Sequence, residues 1–146
     1  MLLRSFSRLQ GTFGAAAVLA ALALPAGPAT VAAGNDEGAT VKPVAVDKLP
    51  NAPGKSITAV VVTYAPGAKS EKHHHAGSVF AYVLSGAIRS QSSGTGAAKV
   101  YAAGESFFEP PGSEHLVSEN ASATEPATLL AVFVADDGAQ LTTFDQ

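Results

Sequence analysis

Four histidines are the residues of this chain whose types and spacing could do chemistry. Three are consecutive, in "KHHHAG" (72–77), and the fourth is His115. If the consecutive three lie in an extended strand, His73 and His75 point to one side and His74 points to the other. His73 and His75 could then hold one metal ion, with His115 as a third imidazole ligand. Two histidines in a polar turn give the same short pattern, so this segment alone leaves a turn without metal as an alternative.

The elements that must position these histidines have the composition of β-strands. Glycine and proline punctuate short apolar and β-branched runs, and a Gly/Ser-rich stretch in the middle of 87–104 predicts a hairpin. Residues 34–50 predict a flexible lead-in with one short strand near 44–46. The other expected strands lie within 57–64, 79–86, 105–112, 114–120 and 127–136. Several short strands at this spacing predict an all-β sandwich or barrel, which can bring distant residues onto one face.

The first 33 residues have the layout of a secretory signal peptide. Arg4 and Arg8 precede a short apolar run, which is followed by small residues, and we expect cleavage after Ala33, with Ala32 nearly as suitable. The apolar run is short for a transmembrane helix, although an uncleaved membrane anchor is the alternative. We therefore expect an exported protein, either periplasmic or secreted.

Charge and cysteine content exclude several functions for the exported part. Removal of residues 1–33 takes two of the nine basic residues and none of the twelve acidic ones, which leaves a net charge of −5. An acidic domain without a basic stripe argues against a nucleic-acid partner and against binding to anionic membranes. The chain has no cysteine, which excludes disulfides, thiolate metal ligands and thiol catalysis.

Two segments of the chain resemble the paired motifs of the cupin superfamily. "GAKSEKHHHAGSVFAYVLSG" (67–86) is similar to G-x5-H-x-H-x3-4-E-x6-G, and "GESFFEPPGSEHLVSEN" (104–120) is similar to G-x5-P-x-G-x2-H-x3-N. The resemblance implies a small single-domain cupin over 51–146, folded as a double-stranded β-helix, or jelly-roll barrel. It also implies that His73, His75 and His115 bind a metal inside the wider mouth of the barrel, and that His74 does not.

The chain departs from the cupin pattern at two positions. The glutamate ligand of the family would fall at Val79, and the closing asparagine would fall at Glu119, one residue before Asn120. We therefore expect three histidines with water, or with a carboxylate from another strand. Glu109 is the candidate for that carboxylate, as a ligand or a general base, because it shares strand parity with Phe107. The alternative is an exposed glutamate on an edge strand.

The resemblance implies a divalent transition metal (Fe, Mn, Ni, Zn or Cu) and a small-molecule ligand or substrate. The activity we expect is that of a dioxygenase-like oxidoreductase. The alternatives are a non-catalytic module that binds a small ligand or a metal, and a metal-dependent isomerase or lyase. By analogy we also expect a homodimer that forms through edge strands.

Six aromatic residues on the predicted strands have two interpretations each. The two tyrosines could donate phenol hydroxyls or could be core residues, and we assign the four phenylalanines to core or interface packing. They are Tyr82, Tyr101, Phe80, Phe107, Phe108 and Phe133.

Overall fold

The structure, a computed structural model, describes residues 38–145 and consists of ten β-strands joined by turns. The strands are β1 (Ala39–Lys48), β2 (Lys55–Tyr64), β3 (His73–His75), β4 (Ser78–Ser85), β5 (Ala87–Ser92), β6 (Lys99–Ala102), β7 (Ser106–Glu109), β8 (Glu114–Asn120), β9 (Ala127–Asp136) and β10 (Thr142–Phe144). The part of the chain described contains no helix that is long and apolar enough to span a bilayer. The expected signal peptide, 1–33, lies outside the described residues.

The strands form two five-stranded antiparallel sheets, in agreement with the all-β prediction. The first sheet has the order β1-β2-β9-β4-β7, and the second has the order β10-β3-β8-β5-β6. Neighbours in a sheet are often far apart in sequence: β3 pairs with β8, so that His73 lies directly opposite His115. The sheet topology therefore brings His115 next to the consecutive histidines, as a shared metal site would require.

The core lies between the sheets and is built by alternation along each strand. β9 is the clearest case, because Ala127, Leu129, Ala131, Phe133 and Ala135 are buried while the residues between them are less buried or exposed. Side chains alternate across a strand, so this pattern places every second residue of β9 in the core. The buried residues of β2 and β4 extend the same layer.

The chain crosses from the second sheet to the first immediately after His75. A bend at Ala76 and Gly77 separates β3 from β4. A Cβ atom at Gly77 would overlap the carbonyl oxygen of Val134, so only glycine allows the chain to pass this close to β9. The extended stretch therefore ends at His75, and Val79 lies on the opposite sheet from the histidines.

Residues 39–48 correct the prediction of a flexible lead-in. In place of a short strand near 44–46, they form the ten-residue strand β1, which pairs with β2 along its length. The register shifts between Pro43 and Ala45. A proline without an N–H group is tolerated there because β1 is an edge strand with an irregularity at that point. The turn signals in this segment hid the strand from sequence analysis.

Three of the phenylalanines divide between the two faces of the first sheet. Phe133 is 4 % exposed and belongs to the core, whereas Phe80 and Phe108 are 46 % and 54 % exposed. Phe80 lies between the buried Val79 and Ala81, so its parity directs it outward. The core assignment is therefore wrong for Phe80 and Phe108, and their role in an interface stays a prediction.

Candidate metal centre

The three predicted ligand histidines form one buried cluster between the sheets. His73, His75 and His115 are each at most 6 % exposed, and one ring nitrogen of each lies within 4.8 Å of the others. The ring centroid of His73 is 4.8 Å from that of His75 and 4.9 Å from that of His115. His74 points away from the cluster, and its Nδ1 atom lies 3.5 Å from an Asp145 carboxylate oxygen at the surface. The separation of His74 from its neighbours by strand parity is thus confirmed.

Backbone carbonyl groups orient two of the imidazoles. The Nδ1 atom of His73 is 2.7 Å from the Glu71 carbonyl oxygen, and that of His75 is 3.1 Å from the Leu141 carbonyl oxygen. A carbonyl oxygen only accepts, so Nδ1–H is the donor in both rings and Nε2 carries the lone pair. Metal-binding histidines commonly have this arrangement, because the outer hydrogen bond fixes the tautomer and the ring direction.

The third imidazole, His115, lies between a hydroxyl group and a carboxyl group. Its Nε2 atom is 2.9 Å from Ser90 Oγ, and its Nδ1 atom is 3.2 Å from Glu109 Oε2. Within residues 38–145, no hydrogen bond of good geometry reaches this buried Nδ1 atom. A buried polar atom without a partner is costly in a folded protein.

A divalent transition metal fits this arrangement. Two atoms that bind one such ion at about 2.1 Å each are about 3 Å apart when adjacent in its coordination sphere, and the distance from His115 Nδ1 to Glu109 Oε2 is 3.2 Å. Three imidazoles and a carboxylate also form a donor set typical of iron, manganese, nickel, copper and zinc. The residues present therefore fit the group that the sequence predicts.

Burial keeps two of the imidazoles, those of His75 and His115, in the uncharged form that binds metals. The pKa of His75 falls to about 4, chiefly through burial and then through the nearby charge of His73. The pKa of His115 falls to about 3, first through burial and then through the charges of His73 and His75, while a backbone hydrogen bond with Val117 acts in the opposite direction. Both side chains are thus neutral at pH 7 and available as ligands.

Glu109 occupies the position across the strand from the missing family ligand. Val79 on β4 and Glu109 on β7 are register partners, and each is 2 % exposed. Directly opposite residues in an antiparallel pair point to the same face, so the carboxylate lies on the strand next to the one expected. The alternative of an exposed glutamate is wrong: β7 is an edge strand, but Glu109 lies on its inner face together with Phe107.

The Glu109 carboxyl group is held in an environment that favours its protonated form. Burial raises its pKa to about 7, and the hydrogen bond from Ser92 Oγ to its Oε2 atom, 3.1 Å long, acts in the opposite direction. At neutral pH the metal-free site therefore contains both protonated and ionised Glu109. A nearby cation would shift this balance toward the carboxylate.

A bulge in β8 explains the late asparagine. Gln91 pairs with Val117 but Ser92 pairs with His115, so β8 contains one extra residue, Leu116, between them. Asn120 is consequently directed inward, where its amide donates to the carbonyl oxygens of Ala65 and Glu125 at 3.0 and 2.8 Å. Asn120 therefore has the structural place of the closing asparagine, one position later in sequence.

The cluster opens into a cavity in which the centres of water-sized molecules can occupy about 70 Å³. Neither Tyr82 nor Tyr101 lines it: Tyr82 is 39 % exposed on the outer face of the first sheet, and the Tyr101 ring packs on Phe107 at 4.9 Å. Sequence analysis missed the tyrosine that does line the cavity, Tyr64, whose hydroxyl is 2.8 Å from Ser70 Oγ and 2.9 Å from Ser118 Oγ.

Sequence analysis also missed the two serines that contact the site, Ser90 and Ser92. They alternate with outward residues in "AIRSQS" and follow the parity of the buried Ile88. This parity was the available signal, but the sequence analysis predicts only a hairpin for this segment and singles out no serine in it.

The fold and this cluster define a small protein of two antiparallel β-sheets with a candidate metal site of three histidines between them. The model of the cupin domain matches residues 60–133, and the chain belongs to the cupin family. A comparison with curated protein sequences gives no match.

Three solved structures illustrate the likeness of the fold. A cupin-like protein from Thermotoga maritima is 20 % identical with a TM-score of 0.58, and the match covers 73 % of this chain and 75 % of that protein. A mutant of Bacillus subtilis oxalate decarboxylase is 29 % identical with a TM-score of 0.50, over 60 % of this chain and 23 % of that protein. The DMSP lyase from Ruegeria pomeroyi is 19 % identical with a TM-score of 0.52, over 60 % of this chain. The chain spans less than half the length of that lyase, 42 %.

Proposed function

We propose that this cupin binds one divalent transition metal (Fe, Mn, Ni, Zn or Cu) and acts on a small molecule as a dioxygenase-like oxidoreductase. His73, His75 and His115 are the proposed imidazole ligands, and Glu109 is the proposed carboxylate. The observation that carries the proposal is the unpartnered Nδ1 atom of His115, buried beside the imidazoles of His73 and His75 and 3.2 Å from Glu109. A metal ion would give that nitrogen its missing partner and would offset the burial of the Glu109 charge.

Each protein residue has a separate role in this proposal. The carbonyl groups of Glu71 and Leu141 hold the rings of His73 and His75 toward the cluster. Ser92 holds the Glu109 carboxyl group through a hydrogen bond. A bound metal would supply a Lewis acid with positions left for substrate and oxygen, and the surrounding apolar walls exclude bulk water from them.

One observation favours a second function, that of a metal-dependent isomerase or lyase. Burial raises the pKa of Glu109 to about 7. A general base is most effective when its pKa lies near the working pH. In this function Glu109 would take a proton from the substrate instead of binding the metal, and the three histidines alone would hold the ion.

Metal analysis of the untagged protein tests the shared part of both functions. Wild-type protein should contain about one transition metal per chain after loading and dialysis, and His73→Ala should lose it. His74→Ala is the matched control, because the neighbouring imidazole points away from the cluster, and it should retain the metal. Equal trace metal in wild type and His73→Ala would refute the metal site.

Oxygen consumption separates the proposed activities. Iron-loaded wild-type protein should consume oxygen with a member of a panel of catechols, flavonols and thiols, and His73→Ala should not. Binding without consumption by any metal form would favour the non-catalytic module. Conversion of a substrate without oxygen, abolished by Glu109→Gln, would favour the isomerase or lyase.

We propose further that the protein is exported, through the segment 1–33 described above. Its support is the arrangement of basic, apolar and small residues in that segment. N-terminal sequencing of protein from the periplasm or medium should begin at residue 34, or at residue 33 if Ala32 is used. Recovery of the intact chain in the cytoplasm would contradict export.

A further inference from the structure

We propose that the ligand of this site has one metal-binding head and an apolar, preferably aromatic, body, and that small dicarboxylates are poor ligands. The inference deepens the proposed metal-dependent function and rests on it. Its basis is the wall of the cavity beside the three imidazoles.

Each candidate ligand histidine contacts one phenylalanine. The ring centroid distances are 5.4 Å between His73 and Phe144, 5.1 Å between His75 and Phe133, and 6.2 Å between His115 and Phe107. All three phenylalanines line the cavity. We call Phe107, Phe133 and Phe144 the phenylalanine collar, and a ligand with its head at the imidazoles must pass its body through or beside it.

The rest of the cavity wall is mainly aliphatic. It includes Val60 and Val62 from β2, with their register partners Ala131 and Leu129 beside them on β9. Removing an apolar group from water into such a wall is favourable by roughly 25 cal/mol per Å² of buried area. Of two ligands with the same head, the one with a phenyl body should therefore bind more tightly than the one with a methyl body, because it buries more apolar area.

Charge disfavours a compact dianion at the same place. None of the described side chains that line this cavity belongs to lysine or arginine, and Glu109 adds an acidic group beside the imidazoles. A dicarboxylate would lose the hydration of both carboxylates, and neither would be paired with a lysine or arginine side chain of the cavity wall. The metal alone would have to compensate both charges, so the cavity selects for one polar head.

Cobalt(II)-loaded protein allows a direct binding test, because the d–d absorption of the ion reports ligands that enter its coordination sphere. The probes are benzohydroxamate and acetohydroxamate, which share one chelating head, and oxalate, which is a compact dianion. We expect benzohydroxamate to bind at least about tenfold more tightly than acetohydroxamate, and oxalate to bind most weakly.

Two phenylalanine variants show whether the collar causes the discrimination. Phe144→Ala should reduce the preference for the phenyl group severalfold, while Phe108→Ala, which alters an outward ring, should leave it unchanged. Thermal melting followed by circular dichroism checks the fold, and Phe144→Leu replaces Phe144→Ala if the latter does not fold. Equal binding of the two hydroxamates, or tightest binding of oxalate, would overturn the inference and leave the metal site intact. If cobalt does not bind to the wild type, both the inference and the proposed function fail.

Discussion

Replacement of Glu109 by glutamine should stabilise the metal-free protein at alkaline pH while weakening its hold on a metal. Glutamine has the shape of a protonated glutamate but cannot ionise. The metal-free folded state buries the Glu109 carboxyl group at 2 % exposure, whereas the unfolded chain exposes it to water. The variant therefore removes the cost of a buried charge and leaves the packing nearly unchanged.

The magnitude follows from the pKa of Glu109, which burial raises from 4.5 to about 7. Between these values the folded state binds more protons than the unfolded state, so the free energy of unfolding of the wild type falls as the pH rises. At 1.36 kcal/mol per pKa unit, the loss is about 3 kcal/mol and is complete above pH 7. Glu109→Gln does not have this loss, so its advantage over wild type should grow by about 3 kcal/mol between pH 4.5 and pH 8.

Urea unfolding followed by circular dichroism, in the presence of a chelator, measures this difference. Wild type and variant are compared at several pH values between 4.5 and 8, so that titrating groups common to both proteins largely cancel. With metal in place of the chelator, the order of stability should reverse, because the variant loses a carboxylate ligand. A stability difference between the two proteins that is independent of pH would refute the account of Glu109 as a buried, titrating carboxyl group.

Three further experiments address the remaining features of the site. In the Glu109→Gln background, the free energy of unfolding of the metal-free protein should fall by on the order of 5 kcal/mol as the pH falls from 6.5 to about 4. The reason is that the unfolded state protonates His75 and His115 at a higher pH than the folded state does. A free energy of unfolding that does not change with pH in urea would contradict this. The double variant Val79→Glu with Glu109→Val should keep a metal affinity within about tenfold of the wild type, as measured by competition with a chelator. Glu109→Val alone should lose more than about tenfold. Equal losses of affinity would show that the two positions do not substitute for each other. Asn120→Ala should lower the free energy of unfolding by about 2–4 kcal/mol through the loss of its amide hydrogen bonds, and a change below 1 kcal/mol in urea unfolding would contradict their role.

Much of the fold could be predicted because its signals are local. Alternation, glycine and proline gave the strands within 57–64 and 127–136 nearly residue by residue, as β2 and β9 show. β1 was underestimated because β2, its pairing partner among residues 38–145, lies across a turn, and its proline suggested a break instead of an irregular edge strand. Pairing across a sheet compensates for poor local strand propensity, and a single sequence does not show such pairing directly.

The site shows the same division between local and non-local information. Strand parity separated His74 from His73 and His75, and the motif spacing brought in His115. The carboxylate was harder to place, because no local pattern contains the two facts that decide its position. These are the register that sets Val79 opposite Glu109, and the inward direction of Glu109 on an edge strand. Parity with Phe107 made Glu109 a candidate, but only the sheet pairing distinguishes a buried carboxylate from an exposed one.

The metal-free site is costly to the fold in several ways at once, and this is the strongest reason to regard it as functional. Three imidazoles are packed together out of water, the Nδ1 atom of His115 has no hydrogen-bond partner among the described residues, and a carboxyl group is buried beside it. Apolar residues of similar volume would remove all of these costs, as they often do when they replace buried ionic groups. A cation bound by the three imidazoles, with Glu109 beside it, would convert each cost into a favourable contact. If that reasoning is correct, replacing His115 with leucine should raise the melting temperature of the metal-free protein and abolish its stabilisation by metal. A lower melting temperature of the variant in the presence of a chelator would show instead that the imidazole contributes to packing.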